Sequence, residues 1–176
     1  KIVILLFFIC TSMSGTSSPD MEKYMRQHAL IWEQLPMQWN EGAFLGNGLV
    51  GMMVYADSTL NALVFHLGRP DVTDQGRHPY RKTSIGTEEA DKMVDFCRLD
   101  IGKMLLFPEG KNFQALFYLD IYNAELTGHL KTDKGDLTFH AYTPQPEEVN
   151  IVEVSSGIPY RWKGVPGRPI DSPAIR

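Results

Sequence analysis

Apolar and polar positions alternate through most of the second half of the chain. Gln114 to Tyr122, Ala124 to Lys131 and Asp136 to Tyr142 each read with a period of two, the signature of strands with one buried face. Lys134-Gly135 is a turn between two of them, and Pro144 and Pro146 break the chain before a further strand, Val149 to Ser155. Upstream, Leu49 to Ala56 and Leu60 to Leu67 flank the turn signal Asp57-Ser58 and predict a hairpin. Arg98 to Phe107 predicts another strand, closed by Pro108 and Gly110. Helical spacing is confined to two places. Met21, Tyr24, Met25, Ala29 and Trp32 predict a helix that starts at Ser18-Pro19-Asp20 and stops at Pro36. Thr87-Glu88-Glu89 predicts a short helix ending near Cys97, with Thr at the N-cap and acids in the first turn. Many short strands with few helices predict a mostly β fold: an antiparallel β-sandwich with two or three short helices. A parallel α/β fold is disfavoured because helices do not alternate with strands.

The two ends differ from this pattern. Lys1 precedes an unbroken apolar run, Ile2 to Cys10, followed by small polar residues to Ser18. That order predicts a signal peptide over residues 1–18 and an exported protein, periplasmic, cell-surface or secreted; a buried N-terminal strand is the other reading. From Gly157, four prolines alternate with glycines, and Arg161, Lys163, Arg168 and Arg176 face one acid, Asp171. This predicts a Pro/Gly-rich linker, or the start of a truncated region, over residues 157–176, after a sandwich domain over residues 19–156.

Composition narrows the function classes. The 176 residues are 43% hydrophobic and 22% charged, ordinary for one globular domain. The net charge of −4 argues against a nucleic-acid partner. No apolar run approaches the roughly 18 residues of a spanning helix, so no stable membrane span is expected after signal cleavage. If Cys10 leaves with the signal peptide, Cys97 is a lone thiol, read as a buried small hydrophobe.

Four features bear on chemistry. Gly42, Gly46, Gly48 and Gly51 do not form a phosphate loop, since no Gly-Lys-Ser/Thr end and no helix follow. They predict tight turns and close backbone approach, with positive φ or side-chain-excluding packing at one or more of Gly46, Gly48 and Gly51. The polar stretch after Gly68 holds Arg69, Asp71, Asp74, His78 and Arg81, with His66 just before it. Such groups suit sugar hydroxyls; a solvated loop folded on its own ion pairs is the competing reading. The same residues lack the ligand spacing of a calcium or zinc site, and no cofactor motif is present. Trp39 fits either a sugar-stacking platform or the sandwich rim, whereas Trp32 reads as packing.

The stretch around Glu41, Leu45-Gly46-Asn47-Gly48 and Gly51 resembles the "LGNGRLG" opening of glycoside hydrolase family 95, which contains α-L-fucosidases. Leu119-Asp120-Ile121 to Ala124, Thr138-Phe139-His140 and Pro146 to Val152 are similar to later strands of the same N-terminal domain. The matches run from about Trp32 to Ser155. Leu49 stands where that family has arginine, and His66 to Asp74 replaces its "LNEDTLW" segment. The resemblance implies a non-catalytic N-terminal β-sandwich of an exported glycosidase. Its partners would be carbohydrate and an (α/α)6 catalytic barrel of the same full-length chain. Trp39, Asn40, Glu41, Asn47, His66, Arg69, Asp71 and Asp74 would touch the sugar from the rim. The family's catalytic carboxylates belong to the barrel, so no catalytic residue carries over. A free-standing carbohydrate-binding or structural sandwich is the alternative.

Overall fold

The computed structural model describes residues 20–72, 100–111 and 114–167. In chain order these form a helix α1 (Met21–Arg26) and strands β1 (Leu30–Trp32), β2 (Ala43–Gly46), β3 (Gly51–Asp57), β4 (Ala62–Gly68) and β5 (Gly102–Pro108). Strands β6 (Gln114–Asp120), β7 (Glu125–Thr132), β8 (Gly135–Tyr142), β9 (Ile151–Ser156) and β10 (Tyr160–Pro166) follow. A 3-10 turn, Trp39–Glu41, precedes β2. Two five-stranded sheets result, ordered β1-β6-β7-β8-β9 and β10-β5-β4-β3-β2, with every pair antiparallel. This is the antiparallel β-sandwich that the alternation predicts. No helix of the described residues is long and apolar enough to cross a membrane.

Alternation builds the core directly. Phe117, Leu126, Leu130, Leu137 and Phe139 of the first sheet meet Leu45, Val54, Leu63, Phe65 and Leu106 of the second. Phe139 stands edge-on to both Phe65 and Phe117, with ring centroids 5.4 Å apart in each pair, a favoured aromatic geometry.

The outward faces are unlike. The first sheet shows water Thr127, His129, Lys131, Thr138 and Glu153, as a half-solvated antiparallel sheet does. His140 stands there between Glu125 (3.3 Å) and Glu153 (3.2 Å). The second sheet carries an apolar cluster outside as well, beside the polar His66 and Lys103. Ala62, Val64 and Leu105 form a second cluster with Tyr55, Phe107 and Val165, and the Arg161 guanidinium lies 4.0 Å over the Phe107 ring. Strand β4 is therefore buried on both faces from Ala62 to Phe65.

Three expectations are corrected. The helix expected from Met21 to Trp32 ends at Arg26, and Leu30–Trp32 instead pairs with β6. Helix α1 buries no side chain, so its apolar spacing gains nothing from packing. Pairing with the edge of β6 satisfies the backbone of Leu30 to Trp32, and β-branched Ile31 suits a strand. Second, Ala43–Gly46, within the stretch whose glycines predict tight turns, is the edge strand β2. Third, the segment from Gly157, read as a linker, supplies β10, paired with β5 from Tyr160 to Pro166. Gly164 and Pro166 hid this strand, yet an edge tolerates both, and Arg161 and Lys163 are typical edge residues.

The β3–β4 hairpin forms as expected, and the Asp57 carboxylate accepts from the Thr59 and Leu60 amides. The expectation for the glycine cluster also holds. Gly48 has φ +91, and a Cβ on Gly51 would lie 2.8 Å from the Leu45 carbonyl oxygen. The signal peptide, the Thr87 helix, Cys97 and residues 168–176 lie outside the described residues.

Candidate functional site

Antiparallel register sets Phe44, Met53, His66 and Lys103 in one cross-strand row, on the outward face of the second sheet. The β2–β3 turn and the segment after β4 rise beside this row. Together they bound a cleft of about 760 Å³. Trp39, Phe44 and Met53 give it apolar walls, and His66, Arg69, Pro70 and Asp100 line its other side. Trp39 is 63% exposed, at the start of the 3-10 turn, so its indole is open to a ligand.

Two polar arrangements face this space. The Nε2 atom of His66 lies 2.9 Å from Oδ1 of Asp100, and the same oxygen accepts the Gly102 amide at 3.0 Å. Asp100 is thus tied to the start of β5 while it orients the imidazole. Arg69 forms a two-point ion pair with Asp71, Nε to Oδ1 at 2.9 Å and an Nη to Oδ2 at 2.8 Å. Its other Nη donates to Glu148 at 2.5 Å. These bonds, Asp71 first and Glu148 second, hold the guanidinium charged well above its ordinary range.

Arg69 in turn holds the Asp71 carboxyl below the usual aspartate range, through the hydrogen bond and then the charge. The pair's contribution to stability is present above the ordinary aspartate range. It disappears as pH falls through the depressed value. A carbon-detected NMR titration is expected to place the Asp71 midpoint below that of an unpaired aspartate, and Arg69→Gln to raise it. An unchanged midpoint in Arg69→Gln would contradict this assignment.

The residues expected to touch sugar are not all brought together. Trp39, His66 and Arg69 line the cleft, and Asp71 stands behind Arg69. Asn40 and Glu41 share the 3-10 turn with Trp39 but lie outside the lining, and the Glu41 carbonyl accepts the Trp32 indole N–H at 3.0 Å. The Asn47 side chain is turned into the fold. Its amide nitrogen donates to the carbonyls of Pro144 and Glu147, and its oxygen accepts from Leu49 and Val50. Asp74 lies outside the described residues, as do His78 and Arg81.

Sequence reasoning missed Phe44, Met53, Asp100 and Glu148. The row of Phe44 and Met53 becomes visible only once β2 is recognised as a strand. Asp100 and Glu148 are distant in sequence from the side chains they bond, and local pattern carries no signal for that.

Chemically, the cleft can stack an apolar face and exchange hydrogen bonds. Asp100 is the one carboxylate among its described lining residues, so they hold no pair of acids across a bond. They include no Ser, Thr or Cys beside His66. Among the described residues no three His, Cys, Asp or Glu side chains gather as metal ligands. Comparison with known protein families and with curated proteins gives no match.

Proposed function

We propose that this chain is the non-catalytic N-terminal β-sandwich of an exported glycoside hydrolase. It packs on a helical catalytic barrel of the same full-length protein and lends its cleft to the rim of the carbohydrate pocket. The observation that carries the reading is the cleft itself, where an exposed indole and an apolar wall face a hydrogen-bonding His66–Asp100 pair. Sugar sites combine these two elements, an aromatic face for the ring's C–H surface and polar groups for its hydroxyls. A free-standing carbohydrate-binding sandwich is the second reading, favoured by the 63% exposure of Trp39.

Glycoside hydrolysis requires two carboxyl groups placed on either side of one bond. The chain is therefore expected to show no turnover of nitrophenyl glycosides, α-L-fucoside and α-L-galactoside included. Turnover abolished by one Asp or Glu substitution within this chain would overturn the reading.

A further inference from the structure

We infer that Asn47 is a deamidation site which the fold holds shut, and that its conversion follows opening of the β2–β3 turn and then unlinks the two sheets at that end, whatever the cleft binds. An asparagine loses ammonia when the backbone nitrogen of the next residue attacks its side-chain carbonyl carbon. Glycine in that next place favours the attack most, because it has no side chain to crowd the ring that forms. The chain has six asparagines, and Asn47 alone is followed by glycine. Gly48 is exposed, its φ is +91, and a Cβ on it would meet nothing within 4 Å. Water and base therefore reach the attacking residue.

The carbon under attack is what the fold withholds. The Asn47 carboxamide is bound at both ends: its nitrogen donates to the Pro144 and Glu147 carbonyls at 2.8 Å, and its oxygen accepts from the Leu49 and Val50 amides at 3.0 Å. The main chain is fixed as well. The Asn47 amide donates to the Val50 carbonyl, and the Asn47 carbonyl accepts from the Gln145 side chain, each at 3.1 Å. Ring closure swings the side-chain carbon to the Gly48 nitrogen and expels Nδ2, so the carboxamide's bonds must break first. In the opened turn the bond from the Gly48 nitrogen to Cγ forms and the Cγ–Nδ2 bond breaks. Nδ2 departs as ammonia, taking the proton from the Gly48 amide. Water then opens the cyclic imide at either carbonyl, giving aspartate or isoaspartate. Neither product restores the link between the β2–β3 turn and the β8–β9 connection. A carboxylate has no proton to donate, so the Pro144 and Glu147 carbonyls would face a negative oxygen where they had a donor. Isoaspartate also adds one carbon to the main chain of a turn whose Gly48 and Val50 line the cleft. Conversion therefore runs one way.

The full chain is incubated at mildly alkaline pH, folded and in urea, and conversion at each asparagine is followed by peptide mass mapping. In urea Asn47 is expected to convert fastest of the asparagines. In the folded chain it is expected to convert more slowly by a factor of about thirty or more, the cost of opening four side-chain hydrogen bonds of ordinary net worth. As urea is added below the unfolding transition, the folded rate is expected to rise in step with amide exchange at Leu49 and Val50. The converted chain, once purified, is expected to exchange those two amides faster than the parent. Equal conversion in the folded chain and in urea would overturn the closure, as would a folded rate that does not follow the exchange. Another asparagine leading in urea would overturn the site. Unchanged exchange in the converted chain would overturn the unlinking.

Discussion

Gly128→Ala is expected to destabilise the chain by about 2–3 kcal/mol, although it adds a single methyl group to a strand. Gly128 lies in β7 directly opposite Phe139 of β8, on the face turned to the core. A Cβ there would lie 2.7 Å from Cδ1 of Phe139 and closer still to Cε1 and Cζ. The ring occupies the space over the glycine. It has nowhere else to go, being 1% exposed and held edge-on by Phe65 and Phe117. Close packing turns this overlap into a shift of the whole aromatic trio or a distortion of two strands. Alanine's lower chain entropy in the unfolded state and its better strand propensity offset only about 0.4–1 kcal/mol of that.

The cause can be isolated. In a Phe139→Leu background the ring is gone, and Gly128→Ala is expected to cost clearly less than in the wild type, an interaction energy between neighbours. Thermal melts of the four proteins measure it. For a chain of this size the single variant is expected to lower Tm by about 5–10 °C. An undiminished cost in the Phe139→Leu background would place the effect in the backbone rather than under the ring.

Gly128 also shows what the sequence can and cannot carry. The alternation of Gln114 to Tyr142 is a local signal, and it locates β6, β7 and β8 to within a residue or two. That Gly128 faces Phe139 is a matter of register, which follows from the β7–β8 turn at Thr132 to Gly135. The elements that were not legible are those whose stability is not local. Strand β1 is three residues long and depends on the free edge of β6; β10 depends on β5. Both are invisible to periodicity because edge strands tolerate glycine, proline and exposed side chains. The candidate site divides in the same way. Trp39, His66 and Arg69 were recognisable by type as groups that meet sugars. Their geometry comes from partners far along the chain: His66 with Asp100, Arg69 with Glu148. Asn47 is the reverse case, a residue that looks functional and is occupied by the fold.

Asn47→Ala is accordingly expected to lower stability in the absence of any ligand, by about 2–4 kcal/mol for four hydrogen bonds at the usual net worth of each. The Asn47 amide nitrogen donates at 2.8 Å to both Pro144 and Glu147, in the connection between β8 and β9. Its oxygen accepts at 3.0 Å from the amides of Leu49 and Val50 and so shapes the β2–β3 turn. One side chain thereby joins the ends of the two sheets, a link reinforced by the bond from Gln145 to the Asn47 carbonyl. Alanine leaves Pro144 and Glu147 carbonyls and two amides to water, and the Val50 amide belongs to a buried residue. Aspartate separates the two halves of the role. It keeps the acceptor for Leu49 and Val50 but sets a carboxylate oxygen against two carbonyl oxygens, so Asn47→Asp is expected to be no more stable than Asn47→Ala. Denaturant melts give the magnitude, and faster amide exchange at Leu49 and Val50 locates it. A sugar-contacting asparagine behaves in the opposite way: its alanine variant would melt within about 0.5 kcal/mol of the wild type and lose only ligand affinity. That outcome would return Asn47 to the rim of the carbohydrate cleft.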